Sequence, residues 1–182
     1  LISMSYDRIG RRVTKNNQRF VYDGYLQIAN SELKTLNTKL QTFIWDPTEP
    51  IATRPLVFYN SNVSPQYYTH DGNKNVSDLT DISQSISAHY TYTPFGSLLS
   101  SSGSSATINP FRFSSEYVED MLNLVYYNYR HYNPKIGRWL CRDPYEDYDS
   151  PNYYAFCVNN CSLIDNLGLW LSYRHKKLTR RA

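Results

Sequence analysis

Several things are scarce or missing in this sequence, and each narrows what the chain can be. No run of about 20 apolar residues occurs, so no segment is long enough to cross a bilayer as a helix. The first ten residues, Leu1 to Gly10, lack the basic, apolar and small-residue succession of a secretion signal, and the chain opens on Leu rather than Met, which fits a fragment or a processed product. Cysteine is limited to Cys141, Cys157 and Cys161, an odd number that excludes a complete disulfide framework. These three and His131 hold no CxxC pair, so buried small hydrophobes are a better reading than a zinc site, and no metal or other cofactor is expected. Only 7 of the 182 residues are Gly, and 19% are charged against 41% hydrophobic, a balance that supports a packed core rather than disorder.

What is abundant is Tyr, 18 residues or about a tenth of the chain, nine of them between Tyr117 and Tyr154. Tyr favours strands and keeps its hydroxyl wet while its ring is buried, so this stretch reads as sheet with rings meeting across strands. Charge is unevenly spread. The net +3 (19 Lys+Arg against 16 Asp+Glu) includes five basic residues and no acid in Trp170–Ala182, which leaves 14 against 16, or −2, for residues 1–169. The basic character belongs to the tail. Thirteen residues are too few for an enzyme or a folded toxin, and as a patch for nucleic acid or membrane they make a weak case, so nucleic acid is not an expected partner.

Five short units repeat: Tyr6-Asp7, Tyr22-Asp23, Trp45-Asp46, His70-Asp71 and Tyr92-Thr93, each followed by turn residues. Their second members are separated by 16, 23, 25 and 22 residues. The physics suits one unit in which an aromatic ends a strand, Asp caps the turn, and Gly, Asn or Pro supplies the turn backbone. Alternation in Arg19-Phe20-Val21-Tyr22 and His89-Tyr90-Thr91-Tyr92 agrees with hairpins. A helix over Ile28–Leu40, with Leu33, Leu36 and Leu40 at helical spacing, is the competing reading there, weakened by Thr35, Asn37 and Thr38. Ser97 to Ser105 reads as a flexible surface loop. Stacked hairpins that cannot bury a face alone form one long sheet or spiral.

The Tyr-Asp-turn units resemble the YD repeats of RHS-repeat proteins, the class that includes toxin-complex C components, Rhs toxins and teneurins. Residues 110–169 resemble the RHS repeat-associated core: Pro110-Phe111-Arg112-Phe113-Ser114, Asn123-Leu124-Val125-Tyr126-Tyr127-Asn128-Tyr129-Arg130-His131-Tyr132-Asn133-Pro134, Gly137-Arg138-Trp139-Leu140, Arg142-Asp143-Pro144, Tyr154-Ala155-Phe156, Asn159-Asn160 and Asp165-Asn166-Leu167-Gly168-Leu169. The resemblance implies an all-β fold, with hairpins of residues 1–109 spiralling into part of a hollow shell, the core at 110–169 plugging it, and a variable tail at 170–182. It also implies bacterial, secreted or cell-surface proteins that enclose a C-terminal effector, with upstream repeats as the main partner.

Many such cores cut their own chain after the terminal Gly-Leu by an aspartic-protease-like mechanism. Carried over, the scissile bond is Leu169–Trp170, Asp143 is the catalytic Asp and Arg130 its partner, with Asp165 either a second carboxylate or the turn residue that presents the bond. A carboxylate can take a proton from water, and an Arg beside it supplies positive charge for the carboxylate or a developing oxyanion. Plainer readings stand beside these: Asp143-Pro144 as a capped turn, Arg130 stacked on Tyr129 or Tyr132, and Asp165 as the turn alone. Two departures from the family pattern concern the bond's presentation. Asn166 replaces the usual Pro, and the spacer from Asn159-Asn160 to Asp165 is one residue short, with Cys161 near where a Pro is usual. The alternative function is a non-catalytic extracellular scaffold or adhesion module whose partner is a surface sugar or protein.

Overall fold

The computed structural model describes residues 2–32, 40–49, 54–144, 152–165 and 167–169. Two antiparallel meanders account for them. The first has ten strands in sequence order: β1 (Met4–Tyr6), β2 (Arg12–Lys15), β3 (Gln18–Asp23), β4 (Leu26–Glu32), β5 (Leu40–Trp45), β6 (Pro55–Asn60), β7 (Val63–His70), β8 (Val76–Thr80), β9 (Ile86–Tyr92) and β10 (Leu98–Ser102). The second has four: β11 (Tyr117–Glu119), β12 (Leu124–Tyr127), β13 (Arg130–Asn133) and β14 (Arg138–Trp139). The larger sheet does not close on itself, and β1 and β10 are its two edges.

The sequence periodicity becomes geometry here. All five repeat units fall on the β1–β2, β3–β4, β5–β6, β7–β8 and β9–β10 connections, so every one lies at the same end of the sheet. One repeat is therefore two strands, and its irregular length reflects connections of variable length at both ends of the sheet.

Side chains alternate as a pleated strand requires. Phe20, Phe43, Phe58, Tyr68, Leu79, Ala88 and Tyr90 each face one side of successive strands and are buried. Onto this face the core module inserts Phe111, edge-on to Phe43 (centroids 4.8 Å apart) and Trp45 (5.0 Å), with Tyr117 edge-on to Phe20 (5.7 Å). Edge-to-face packing sets positive ring edges against negative faces and adds to the burial of apolar area. A second cluster of Phe113, Val125, Tyr127, Tyr132, Trp139, Phe156 and Cys157 fills the four-stranded module itself.

Arg12 fastens the first hairpin to the module. It is fully buried, its guanidinium lies 4.3–4.5 Å from the rings of Phe20, Tyr117 and Tyr126, and it pairs with Glu119, which also pairs with Lys15.

Three sequence expectations change. Residues 28–32 and Leu40 lie in strands β4 and β5, so the helix does not exist on the described part of Ile28–Leu40; residues 33–39 lie outside the described residues. The Ser-rich stretch is largely strand β10, paired to β9 from Leu98 to Ser102. Ser and Leu alternate poorly there, yet the ladder needs only backbone. Gly103, just beyond it, has φ +99°, and a Cβ there would meet the Ser87 carbonyl oxygen at 2.2 Å. Finally, Asp23 is the last residue of β3, paired with Leu26, rather than a turn residue, and the two-residue turn is Gly24-Tyr25. The tail from Trp170 to Ala182 lies outside the described residues.

Candidate active site

Arg130 opens β13 in the middle of the second meander, where its backbone pairs with Tyr127. Its side chain runs inward and is 2% exposed. The guanidinium carbon lies 4.0 Å over the Trp139 ring, so the stacking partner is Trp139, rather than the Tyr129 or Tyr132 expected from adjacency in sequence. Cross-strand pairing of Tyr132 with Trp139 brings β14 there, a placement that local spacing does not reveal.

Two carboxylates converge on one nitrogen of this group. Arg130 Nη2 lies 2.8 Å from Asp143 Oδ2 and 3.3 Å from Asp165 Oδ2, and all three residues are buried. A buried guanidinium facing two carboxylates is compensated, and neither acid is left as an isolated charge. Burial lowers the Arg130 pKa, an effect that Asp143 and Asp165 oppose. Asp165 is pushed up to about 6, mainly by burial, against the downward pull of Arg130 and of three backbone N–H groups.

Those N–H groups define the end of the core. Asp165 Oδ1 accepts from Leu167 (3.2 Å), Gly168 (2.9 Å) and Leu169 (3.0 Å). The Leu167 carbonyl accepts from the Tyr129 N–H at 3.2 Å, and the Gly168 carbonyl accepts from Arg130 Nε. Gly168 has φ +72°, and a Cβ on it would stand 2.9 Å from Tyr127 Cβ and 3.3 Å from the Arg130 nitrogen. Only glycine passes between the segment and β13. Leu169 is 4% exposed, so the terminal residue of the core is packed inside it.

The structure thus brings Arg130, Asp143, Asp165 and Leu169 into one locality, while Asn166 and Trp170 lie outside the described residues. Sequence reading missed two participants. Trp139 forms the floor under Arg130, and Glu116 carries a carboxyl raised well above its usual range by burial and, secondarily, by the charge of Asp165. Nothing in the spacing of Glu116 marks it out. Among the described residues no three His, Cys, Asp or Glu side chains stand together as metal ligands. Cys157 is buried in the second core and Cys141 is exposed. No described helix is long and apolar enough to cross a membrane.

With this geometry in hand, comparison with known proteins settles the family. The teneurin YD-shell model matches residues 1–160. The chain belongs to the teneurin YD-shell family. Among curated relatives of this YD-shell chain, Double-stranded DNA deaminase toxin A of Burkholderia cenocepacia is 22% identical over 200 residues, covering 93% of this chain and 14% of its own length. Toxin protein Tse5 of Pseudomonas aeruginosa is 38% identical over 61 residues (33% and 5%), and Salivary gland surface protein 1 of Aedes aegypti is 35% identical over 71 residues (38% and 2%). Among solved structures, the TcdB2-TccC3-TEV crystal structure superposes with TM-score 0.74 at 23% identity, and a Photorhabdus luminescens Tc holotoxin pore with TM-score 0.75 at 22%. Each alignment covers 92% of this chain and 9% of the other. At that identity the structural likeness shows the fold, that of an RHS/YD-repeat shell domain. The YD-shell chain spans about a seventh or less of the length of these relatives.

Proposed function

We propose that this YD-shell chain closes the C-terminal end of a larger shell and cuts itself between Leu169 and Trp170. The observation that carries the reading is the meeting of Asp143 and Asp165 at one nitrogen of buried Arg130, beside the turn that ends at Leu169. In the reaction, Asp143 takes a proton from water and the water oxygen bonds to the Leu169 carbonyl carbon, whose π electrons move onto its oxygen. Collapse of that oxyanion breaks the C–N bond, and the departing Trp170 nitrogen takes the proton of the Asp165 carboxyl. A carboxyl with a pKa of about 6 holds a useful fraction of its protons near neutrality and can give one up, which suits a general acid. Reaction within one chain gains the proximity that a bimolecular hydrolysis lacks.

The partners in this reading belong to the same protein. Upstream repeats of the same protein pair with the open edge at β1, and the segment after Leu169 begins an enclosed effector in a secreted or cell-surface toxin. Supporting this is the kinship with bacterial toxins named above. The second reading, a non-catalytic surface scaffold or adhesion module, draws on the similarity to the Aedes salivary gland surface protein. Mass spectrometry of the full-length protein tests the two. A product ending at Leu169 that disappears in Asp143→Asn supports self-cleavage, and an intact wild-type chain leaves the scaffold.

A further inference from the structure

The residues at the end of the core repeat a geometry found elsewhere in the molecule. Asp7 Oδ1 accepts the N–H groups of Ile9 and Arg11, both at 3.0 Å. Asp71 Oδ1 accepts those of Asn73 (2.8 Å) and Asn75 (2.9 Å), and Asp81 Oδ1 those of Ser83 (2.8 Å) and Ser85 (3.0 Å). In each, the fourth residue is left-handed: Gly10 at φ +86°, Lys74 at +63° and Gln84 at +63°. The Thr93 hydroxyl makes the fifth-residue bond alone, accepting the Ser97 N–H at 3.0 Å, with Gly96 at +86°. Asp165–Leu169 has the same five-residue plan. Its Oδ1 accepts from the third and fifth residues, and the fourth, Gly168, is left-handed.

One bond differs. In the surface turns the first N–H donates to the fifth carbonyl, as from Asp7 to Arg11 (2.9 Å), Asp71 to Asn75 (3.0 Å), Asp81 to Ser85 (3.0 Å) and Thr93 to Ser97 (2.8 Å). Asp165 and Leu169 do not make it. The carbonyls of Leu167 and Gly168 are held by Tyr129 and Arg130, whereas that of Leu169 accepts no hydrogen bond among the described residues.

We infer that the end of the core is a repeat turn folded inward with its closing bond deleted, in which Asp165 Oδ1 is the positioning clamp that holds Leu169 while leaving its carbonyl open to attack. The clamp makes Asp165 a positioning residue through one oxygen, separate from any proton transfer through the other. Exposure of the carbonyl to attack rests on the self-cleavage reading; the clamp does not. The plan also predicts that the second position is indifferent to proline. Arg8, Gly72 and Ile82 occupy it in three turns and Pro94 in a fourth, and no Oδ1 bond uses its N–H.

The test is amide hydrogen exchange on the full chain in an Asp143→Asn background, which keeps the chain uncut. Asp165→Asn retains the Oδ1 acceptor, so protection of the Gly168 and Leu169 amides is expected to stay within about threefold, whereas Asp165→Ala is expected to lose about tenfold or more. Equal loss in both variants, or loss in neither, overturns the clamp. Separately, with Asp143 restored, Asn166→Pro is expected to be cut as fast as the parent within about threefold; if the parent is cut and this variant is not, the repeat-turn assignment is wrong. A parent that is never cut refutes self-cleavage while leaving the exchange result to judge the clamp.

Discussion

Two turns with one backbone plan behave as different chemical objects. Asp7–Arg11 lies at the molecular surface, where burial is the largest single influence and raises the Asp7 pKa, but the Arg11 side chain and the N–H groups of Arg11 and Ile9 together lower it more, so that it ends below its usual value. Asp165 accepts one more N–H and still rises to about 6, because burial outweighs Arg130 and all three amides. At the surface, hydrogen bonds together with the Arg11 cation hold the acid ionised. Removal from water converts the same turn into a group able to hold and release a proton near neutrality.

The largest effect that can sharpen this contrast comes from removing the cation. Arg130→Met leaves two buried carboxylates facing each other, and a loss of roughly 3–5 kcal/mol in chemical denaturation is expected. Next is the fourth position of the turn. Gly168→Ala places a Cβ 2.9 Å from Tyr127 Cβ at φ +72° and is expected to cost about 2–4 kcal/mol. Gln84→Gly, at the corresponding surface position with φ +63°, is expected to change stability by no more than about 0.5 kcal/mol. The left-handed backbone is thus common to both turns, while the demand for glycine comes from close packing against β13.

Acid titration separates the two turns again. With the folded pKa of Asp165 near 6 and its ordinary value at 3.8, the folded state binds more protons across that window. Stability from this group is fully present below pH about 4 and is lost as pH rises through about 6. Asp165→Asn is expected to flatten the slope of denaturation midpoint against pH in that range. Loss of a surface clamp costs less than either interior change: Asp81→Ala is expected to cost about 1 kcal/mol, as for other capping side chains.

Much of this was legible in the residues. The five aromatic–polar units marked one end of the sheet, and Tyr density marked the second meander. Asp81 escaped notice because Thr80 precedes it rather than an aromatic, although its turn is the same. Ser97–Ser105 misled because composition speaks of side chains, whereas β10 is held by backbone bonds to β9. At the site, the resemblance to the RHS repeat-associated core picked out Arg130, Asp143 and Asp165. Trp139 beneath Arg130 and Glu116 near Asp165 depend on cross-strand register and burial, which no local pattern encodes. Asp165 meets the Leu169 N–H through one oxygen and Arg130 through the other, contacts that only the folded chain brings together.

The contrast between the surface and interior turns can be read in one spectrum. A carboxyl 13C NMR titration of the full protein, with Asp7 and Asp165 assigned, is expected to give Asp165 a midpoint of about 6 and Asp7 one below 3.8. Coincident midpoints near the ordinary Asp value would contradict the claim that burial beside Arg130 turns a repeat clamp into an acid–base group.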